Sequence, residues 1–189
     1  MTQHALYQWP HPLALYPDRG KKSYRMKRLR YRLRSLLHRQ AIKKFEYFVN
    51  QNVSLVPLLN ARPDFSYPLA HRFLDKRFSA KQRLDAICDN LTFLPEKLTA
   101  LGLPPLWQQA ISFGEVIPDF ELKLMLSEHQ PMEGFWTLEL IHSPSQELVY
   151  LLTFGKVQQA LLIAVIQGPN FEGSKDMVKL LTKKCHGLR

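Results

Sequence analysis

The sequence predicts an α+β protein, with helices first, then an antiparallel meander of strands, then a closing helix. Three observations lead there. From Ser23 to Asn50 there is neither proline nor glycine, and Met26, Leu29, Leu33, Leu36 and Leu37 recur at helical spacing. From Phe120 the period changes: Phe120, Leu122, Leu124 and Leu126 alternate with Glu121, Lys123, Met125 and Ser127. Near the end Met177, Val178 and Leu181 restore a helical pattern. Helices segregated from a run of strands are the α+β order.

The elements follow in turn. Residues 1–18, with Tyr7, Trp9, Pro10, Pro12, Tyr16 and Pro17, read as an irregular arm that packs through Trp9 and Tyr16. One long, bent helix is expected over 23–50, with Phe45, Phe48 and Val49 continuing its apolar side. Asn60 to Pro68, with Pro63 and Asp64, is a connection. The chain is accordingly divided at 1–60 and 61–189, the second part holding helices over 66–114, a sheet over 115–167 and a helix over 174–186.

Ser79-Ala80-Lys81-Gln82 fits a capping box, in which the Ser79 hydroxyl and the Gln82 side chain each satisfy an orphan amide. The helix it opens turns Leu84, Ile87, Cys88 and Leu91 inward. Pro95 is expected to begin a separate helix that Gly102 ends, and Pro104-Pro105 a third around Leu106 and Trp107 that stops near Gly114. Strands are expected over 134–142 and 147–154, joined by the turn Ser143-Pro144-Ser145-Gln146. Ala160 to Ile166 is apolar throughout, as an inner strand covered on both faces would be. A loop over 168–173 then leads to a helix that Ser174 caps and Gly187 ends.

Composition excludes several classes. At 46% hydrophobic and 22% charged, the 189 residues are too apolar for a disordered chain. The longest apolar run is far below the roughly 18–20 residues of a spanning helix. The first fifteen residues, with His4, Gln8, Pro10, His11 and Pro12, lack the basic start and continuous apolar core of a signal peptide. A cytoplasmic protein is expected, with Cys88 and Cys185 as buried, reduced thiols. The histidines at 4, 11, 38, 71, 129, 142 and 186 show no helical metal-site pairing. No metal, cofactor or catalytic residue is predicted: Glu139 has no acid/base mate by strand alternation alone, and no nucleophile-elbow motif occurs. Trp107, Phe135, Trp136 and Phe154 read as core.

Charge is the most informative number. The net is +10, yet 12 of the 26 basic residues lie between Arg19 and Lys44, where no acidic residue occurs. The rest of the chain holds 14 basic against 16 acidic residues, a net of −2. Plotted at 100° per residue, Met26, Leu29, Leu33, Leu36 and Leu37 share a stripe about 100° wide. Arg25, Arg28, Arg32 and Arg39 flank one side of it, and Lys27, Arg30 and Arg34 the other. Arg25, Arg28, Arg30, Arg32, Arg34 and Arg39 are therefore the candidate anion-binding set, since guanidinium groups make bidentate contacts to phosphate. Four surfaces fit this helix: the protein's own core, an anionic membrane, nucleic acid, or an acidic protein partner. A second candidate is the turn holding Gln167, Gly168, Asn170, Gly173 and Ser174, where free amides could meet an anion. There Pro169 removes a donor and Glu172 repels phosphate.

Several stretches carry a family resemblance. They are Phe73-Leu74-Asp75-Lys76-Arg77-Phe78-Ser79 with Gln82-Arg83-Leu84, then Phe93-Leu94, Glu147-Leu148, Leu152-Thr153-Phe154 and Ile166-Gln167-Gly168. The tail, Leu181-Thr182-Lys183-Lys184-Cys185-His186-Gly187-Leu188-Arg189, is the clearest. In this order the chain, from about Arg25 onward, resembles the bacterial VirK/YbjX family, whose members continue beyond the His-Gly-Leu-Arg motif. The resemblance implies a role in envelope maintenance, virulence or resistance to antimicrobial peptides, with contact at the inner face of the membrane. It supplies no catalytic residues. Two alternatives remain beside it: an acyltransferase-like enzyme, suggested by the hairpin, strand, loop and helix order, and an RNA-binding protein using the basic helix.

Overall fold

The computed structural model describes residues 6–128 and 131–185. The chain divides into two compact units, Met1–Phe93 and Leu94–Arg189. The first is helical: α1 (Pro12–Leu15), α2 (Lys22–Leu37), α3 (Arg39–Gln51), α4 (Val56–Ala61), α5 (Tyr67–Ala70) and most of α6 (Ala80–Ala100). The second holds a five-stranded antiparallel meander, β1 (Ile111–Ile117), β2 (Phe120–Leu126), β3 (Trp136–His142), β4 (Glu147–Val157) and β5 (Ala160–Gln167), then α7 (Ser174–Lys184). This is the α+β class expected.

In the first unit the expected long helix is two. His38 leaves helical geometry at φ −106°, ψ 19°, and its amide donates back to the Arg34 and Leu36 carbonyls. The face turned inward also differs from the expected one. Tyr24, Arg28, Tyr31, Ser35, His38, Ile42, Phe45 and Val49 are the buried or half-buried series. Their spacing alternates between three and four, so they form one stripe through both helices. Phe45 and Val49 thus continue the tyrosine face and lie opposite the leucines. Short helical turns occupy the expected connection over 60–68, and Phe65 from it and Leu69 just after it are wholly buried.

The capping box at the start of α6 is present: the Ser79 amide donates to Gln82 Oε1 at 2.9 Å, and the Gln82 amide to Ser79 Oγ at 3.3 Å. Leu84, Ile87 and Leu91 are buried as expected, while Cys88 is half-buried. Pro95 does not begin a new helix, because α6 runs through it. An interior proline removes one backbone bond and crowds the carbonyl four residues before it, at a cost of about 3 kcal/mol, which the helix bears here. Gly102, at φ +69°, ends the helix, with the Leu103 amide closing onto the Leu98 carbonyl at 2.9 Å. No helix forms around Leu106 and Trp107; the chain makes a turn there, and β1 follows within the segment assigned to helix.

The sheet therefore spans 111–167 with five strands, not about four over 115–167. At the entry to β3, Gly134 sits at φ +132° with Phe154 backbone so near that a Cβ would stand 2.4 Å from its carbonyl oxygen. Only glycine fits. Ala160–Ile166 is not an inner strand. β5 pairs with β4 alone and forms the sheet's edge, with Leu161, Ile163 and Ile166 more than half exposed. An apolar run marks a strand, but its place in the sheet depends on what covers it. α7 packs through Met177, Leu180, Leu181 and Cys185 onto Phe120, Leu140, Val149 and Tyr150. Leu180 takes the place expected for Val178. The cap of α7 is Gly173, at φ +83°, and Ser174 is the first helical residue. Gly187 lies outside the described residues. Phe135 and Trp136 are core, whereas Trp107 and Phe154 are half-buried. Both cysteines are free thiols, half-buried rather than buried; burial and nearby Asp85 and Asp89 push the Cys88 thiol up to about 12.

Candidate functional site: the basic helix

α2 is held to the first unit by aromatic rings and hydrogen bonds rather than by its leucines. Tyr31 is its one fully buried residue. The Tyr31 ring stacks on Trp9 at 6.1 Å between centroids and meets Tyr16 and Tyr67, while its hydroxyl donates to the Pro10 carbonyl at 2.8 Å. Burial raises the pKa of this phenol, so it remains a neutral donor. Ser35 accepts from Trp9 Nε1 at 3.1 Å. The N-terminal arm is thus a strap over α2, as the Trp9 and Tyr16 expectation requires.

Two of the six candidate arginines serve this docking. Arg28 donates to the Tyr16 carbonyl at 3.2 Å and pairs with Asp18 at 3.4 Å. The Gly20 amide and then Arg28 hold the Asp18 carboxyl below its usual range. Arg34 donates to the Tyr67 hydroxyl. The other four are exposed, Arg25, Arg30 and Arg32 on α2 and Arg39 at the start of α3, and among the described residues no acidic side chain pairs with them.

Between them lies the apolar stripe, facing out. Leu33 is 53% exposed, Leu36 69% and Leu37 80%, with Met26 and Leu29 also exposed. Of the four surfaces that fit this helix, its own core is not the one that takes the leucines. The result is a solvent-facing apolar band about 100° wide with unpaired guanidinium groups along both borders.

Sequence reasoning missed the inward set behind this face. Arg83 is buried, its Nε donating to the Leu69 carbonyl at 3.1 Å and Nη1 to the Phe78 carbonyl at 2.8 Å. Its third nitrogen lies 3.3 Å from His38 Nε2. Burial, then Arg83 and Arg34, lowers the His38 pKa; burial, then Arg34, Arg72 and Arg83, lowers that of His71. Both imidazoles are thereby kept neutral near pH 7. The three-four spacing from Tyr24 to Val49 was the readable signal for this face, hidden because its α2 half is polar.

The second candidate, the turn over 167–174, is on the other unit. Gln167, Gly168, Asn170 and Gly173 are exposed and Ser174 half-buried. The Ser174 amide donates to the Phe171 carbonyl at 3.1 Å, and those of Asp176 and Met177 to the Gly173 carbonyl. These donors are used within the turn, and Asp176 adds a negative charge beside them. Among the described residues no group of three His, Cys, Asp or Glu could hold a metal, and no helix is long and apolar enough to cross a membrane. His4, His129 and His186 lie outside the described residues.

Comparison with known proteins gives a family without a function. The model of a family described as a protein of unknown function, DUF535, matches residues 20–189. A Mannheimia haemolytica protein named Membrane protein LapB is 71% identical over 97% of this chain and 81% of its own length. Two uncharacterized proteins of Haemophilus influenzae are 60% and 31% identical, over 100% and 96% of this chain. The chain spans 64% of the length of each of these two. No solved structure matches. The chain belongs to the DUF535 family.

Proposed function

We propose that this DUF535 protein works at an anionic membrane surface, with α2 lying in the interface as a peripheral anchor. The observation that carries this reading is the outward leucine stripe bordered by Arg25, Arg30, Arg32 and Arg39. An interfacial helix buries such a stripe among acyl chains while its cations meet phosphates. A nucleic-acid-binding helix needs the cations but has no use for the leucines, and an acidic protein partner would have to supply its own apolar groove. The name of the Mannheimia relative agrees with this reading. The resemblance to VirK/YbjX proteins extends it to envelope maintenance, virulence or antimicrobial-peptide resistance, acting from the cytoplasmic face of the inner membrane.

The test is sedimentation with vesicles. Wild-type protein should bind vesicles rich in anionic phospholipid, bind neutral ones poorly, and release as salt screens the charges. Each basic residue near such a surface contributes about 1 kcal/mol, so charge reversal at Arg25, Arg30, Arg32 and Arg39 should weaken binding about a thousandfold or more. Leu33→Asp with Leu36→Asp should weaken it without altering the net positive face by more than two charges. Folded wild type that ignores anionic vesicles at low salt but retains RNA would replace this reading with the nucleic-acid one.

A further inference from the structure

Beside α2 the strap leaves a cavity of about 460 Å³, open to solvent. That size falls within the roughly 300–1,000 Å³ of small-molecule sites. Its walls include the Trp9 and Tyr31 rings and Ile42, together with Ser35 and Glu46. Most of the polar atoms that these walls carry are already paired. Trp9 Nε1 donates to Ser35, the Trp9 amide to Glu46 Oε1 at 2.7 Å, and the Tyr31 hydroxyl to Pro10. The interior therefore offers mostly hydrocarbon and ring faces, with the Glu46 carboxylate holding the Trp9 amide at its side.

The rim has the opposite character. Arg32, Arg39 and Lys43 border the opening, all exposed, and among the described residues no acidic side chain pairs with them. Leu36 stands at the same opening and belongs to the outward stripe. A mostly apolar cavity whose opening carries three cations against the single Glu46 carboxylate selects an anionic amphiphile. A free phosphate or nucleotide would leave the cavity empty, and a neutral lipid would leave the cations without a partner.

We propose that this cavity binds one acyl chain of a phosphate-bearing membrane lipid, whose headgroup is held by Arg32, Arg39 and Lys43. The inference rests on the membrane-surface reading and gives it a ligand. Adsorption by the stripe is a property of many lipids at once; occupancy of the cavity is stoichiometric, one lipid to one protein.

Dodecyl phosphate below its micelle concentration separates the two, since no bilayer is present. Titration should change the tryptophan fluorescence saturably, and Trp9→Phe should remove that change, since Trp9 alone of the three tryptophans lines the cavity. Dodecylphosphocholine, with its zwitterionic headgroup, should bind on the order of tenfold more weakly, as should the Arg39→Glu/Lys43→Glu variant towards dodecyl phosphate. Both substituted residues are exposed, so folding is expected to survive and can be checked by circular dichroism. Wild type that sediments with anionic vesicles but shows no saturable response to dodecyl phosphate overturns the cavity and leaves the surface reading standing. A response that persists in Trp9→Phe, or that is equal for the two headgroups, also overturns it. A saturable, Trp9-dependent, phosphate-selective response without vesicle binding supports the cavity and removes the surface reading.

Discussion

α2 and α3 meet at His38 and share one inward stripe, yet they fill it with different chemistry. In α3 the stripe is Ile42, Phe45 and Val49, all buried, and the opposite side is polar with Lys43, Lys44 and Tyr47 exposed. In α2 the stripe is Tyr24, Arg28, Tyr31 and Ser35, and the opposite side carries leucines. α3 is an ordinary core helix. α2 has two usable faces, a polar-aromatic one pinned by directional bonds and an apolar one left for something else. The difference teaches that leucine content does not say which way a helix docks when arginine stems and tyrosine rings can build the contact.

The largest expected effect is on the α3 side. Phe45 is fully buried, edge-on to Tyr7 at 5.9 Å and to Trp9 at 6.3 Å. Phe45→Ala should cost about 3–5 kcal/mol in urea unfolding, whereas Leu36→Ala on α2 should stay within about 0.5 kcal/mol. Equal losses would break the comparison, since they would mean that the leucine stripe carries core energy.

A smaller effect is expected on the docked face of α2. Tyr31→Phe keeps the ring stack but removes the donor to the Pro10 carbonyl. Chemical denaturation should register a loss of about 0.5–1.5 kcal/mol, the range of a single hydrogen bond. No measurable loss would show that ring packing alone pins the helix.

The smallest expected effect is a pH dependence at the junction. Folding lowers the pKa of His38 and His71, so the unfolded chain binds more protons than the folded one below their usual value near 6.5. Their contribution is fully present above that pH and declines as pH falls through it. The depressed carboxylates Asp18, Asp75, Asp119 and Glu121 act only lower, below their own usual range near 4. Melting temperature should therefore begin to fall between pH 7 and 5.5, and His38→Gln should flatten part of that decline. An unchanged slope in the variant would assign it elsewhere.

Much of this was legible in the sequence, and the misses share a cause. The class, the strands β2 to β4 and the Ser79 cap follow from local spacing and local hydrogen bonds. The capping box closes within four residues, so nothing distant can overrule it. Pro95 and β5 were misread because their fate is set by neighbours far along the chain. A proline ends a helix only if no packing holds the helix beyond it, and Ala160–Ile166 looks like an inner strand whether or not a sixth strand is there. The same limit applies to the candidate site. The sequence located the cations of α2, but only the fold shows that Arg28 and Arg34 are engaged internally and that the leucines point out. The cavity beside them was not legible at all, because the arm that walls it lies 12 to 43 positions away from its partners.

That separation also bears on the order of events in folding. The arm is fastened by the Asn50 side chain, which accepts from the Tyr7 amide at 2.8 Å and donates to the Tyr7 carbonyl at 3.2 Å, and by Glu46 beneath Trp9. Each of these bonds closes a loop that local helix formation does not need, so its entropy is lost with little return until α2 and α3 have formed. The arm should dock late, after the rate-limiting barrier. In stopped-flow experiments Asn50→Ala should then speed unfolding while leaving refolding nearly unchanged, as expected for contacts absent from the transition state. The strap that walls the cavity beside α2 would on this account govern how long the native state persists, and hardly how fast it is reached.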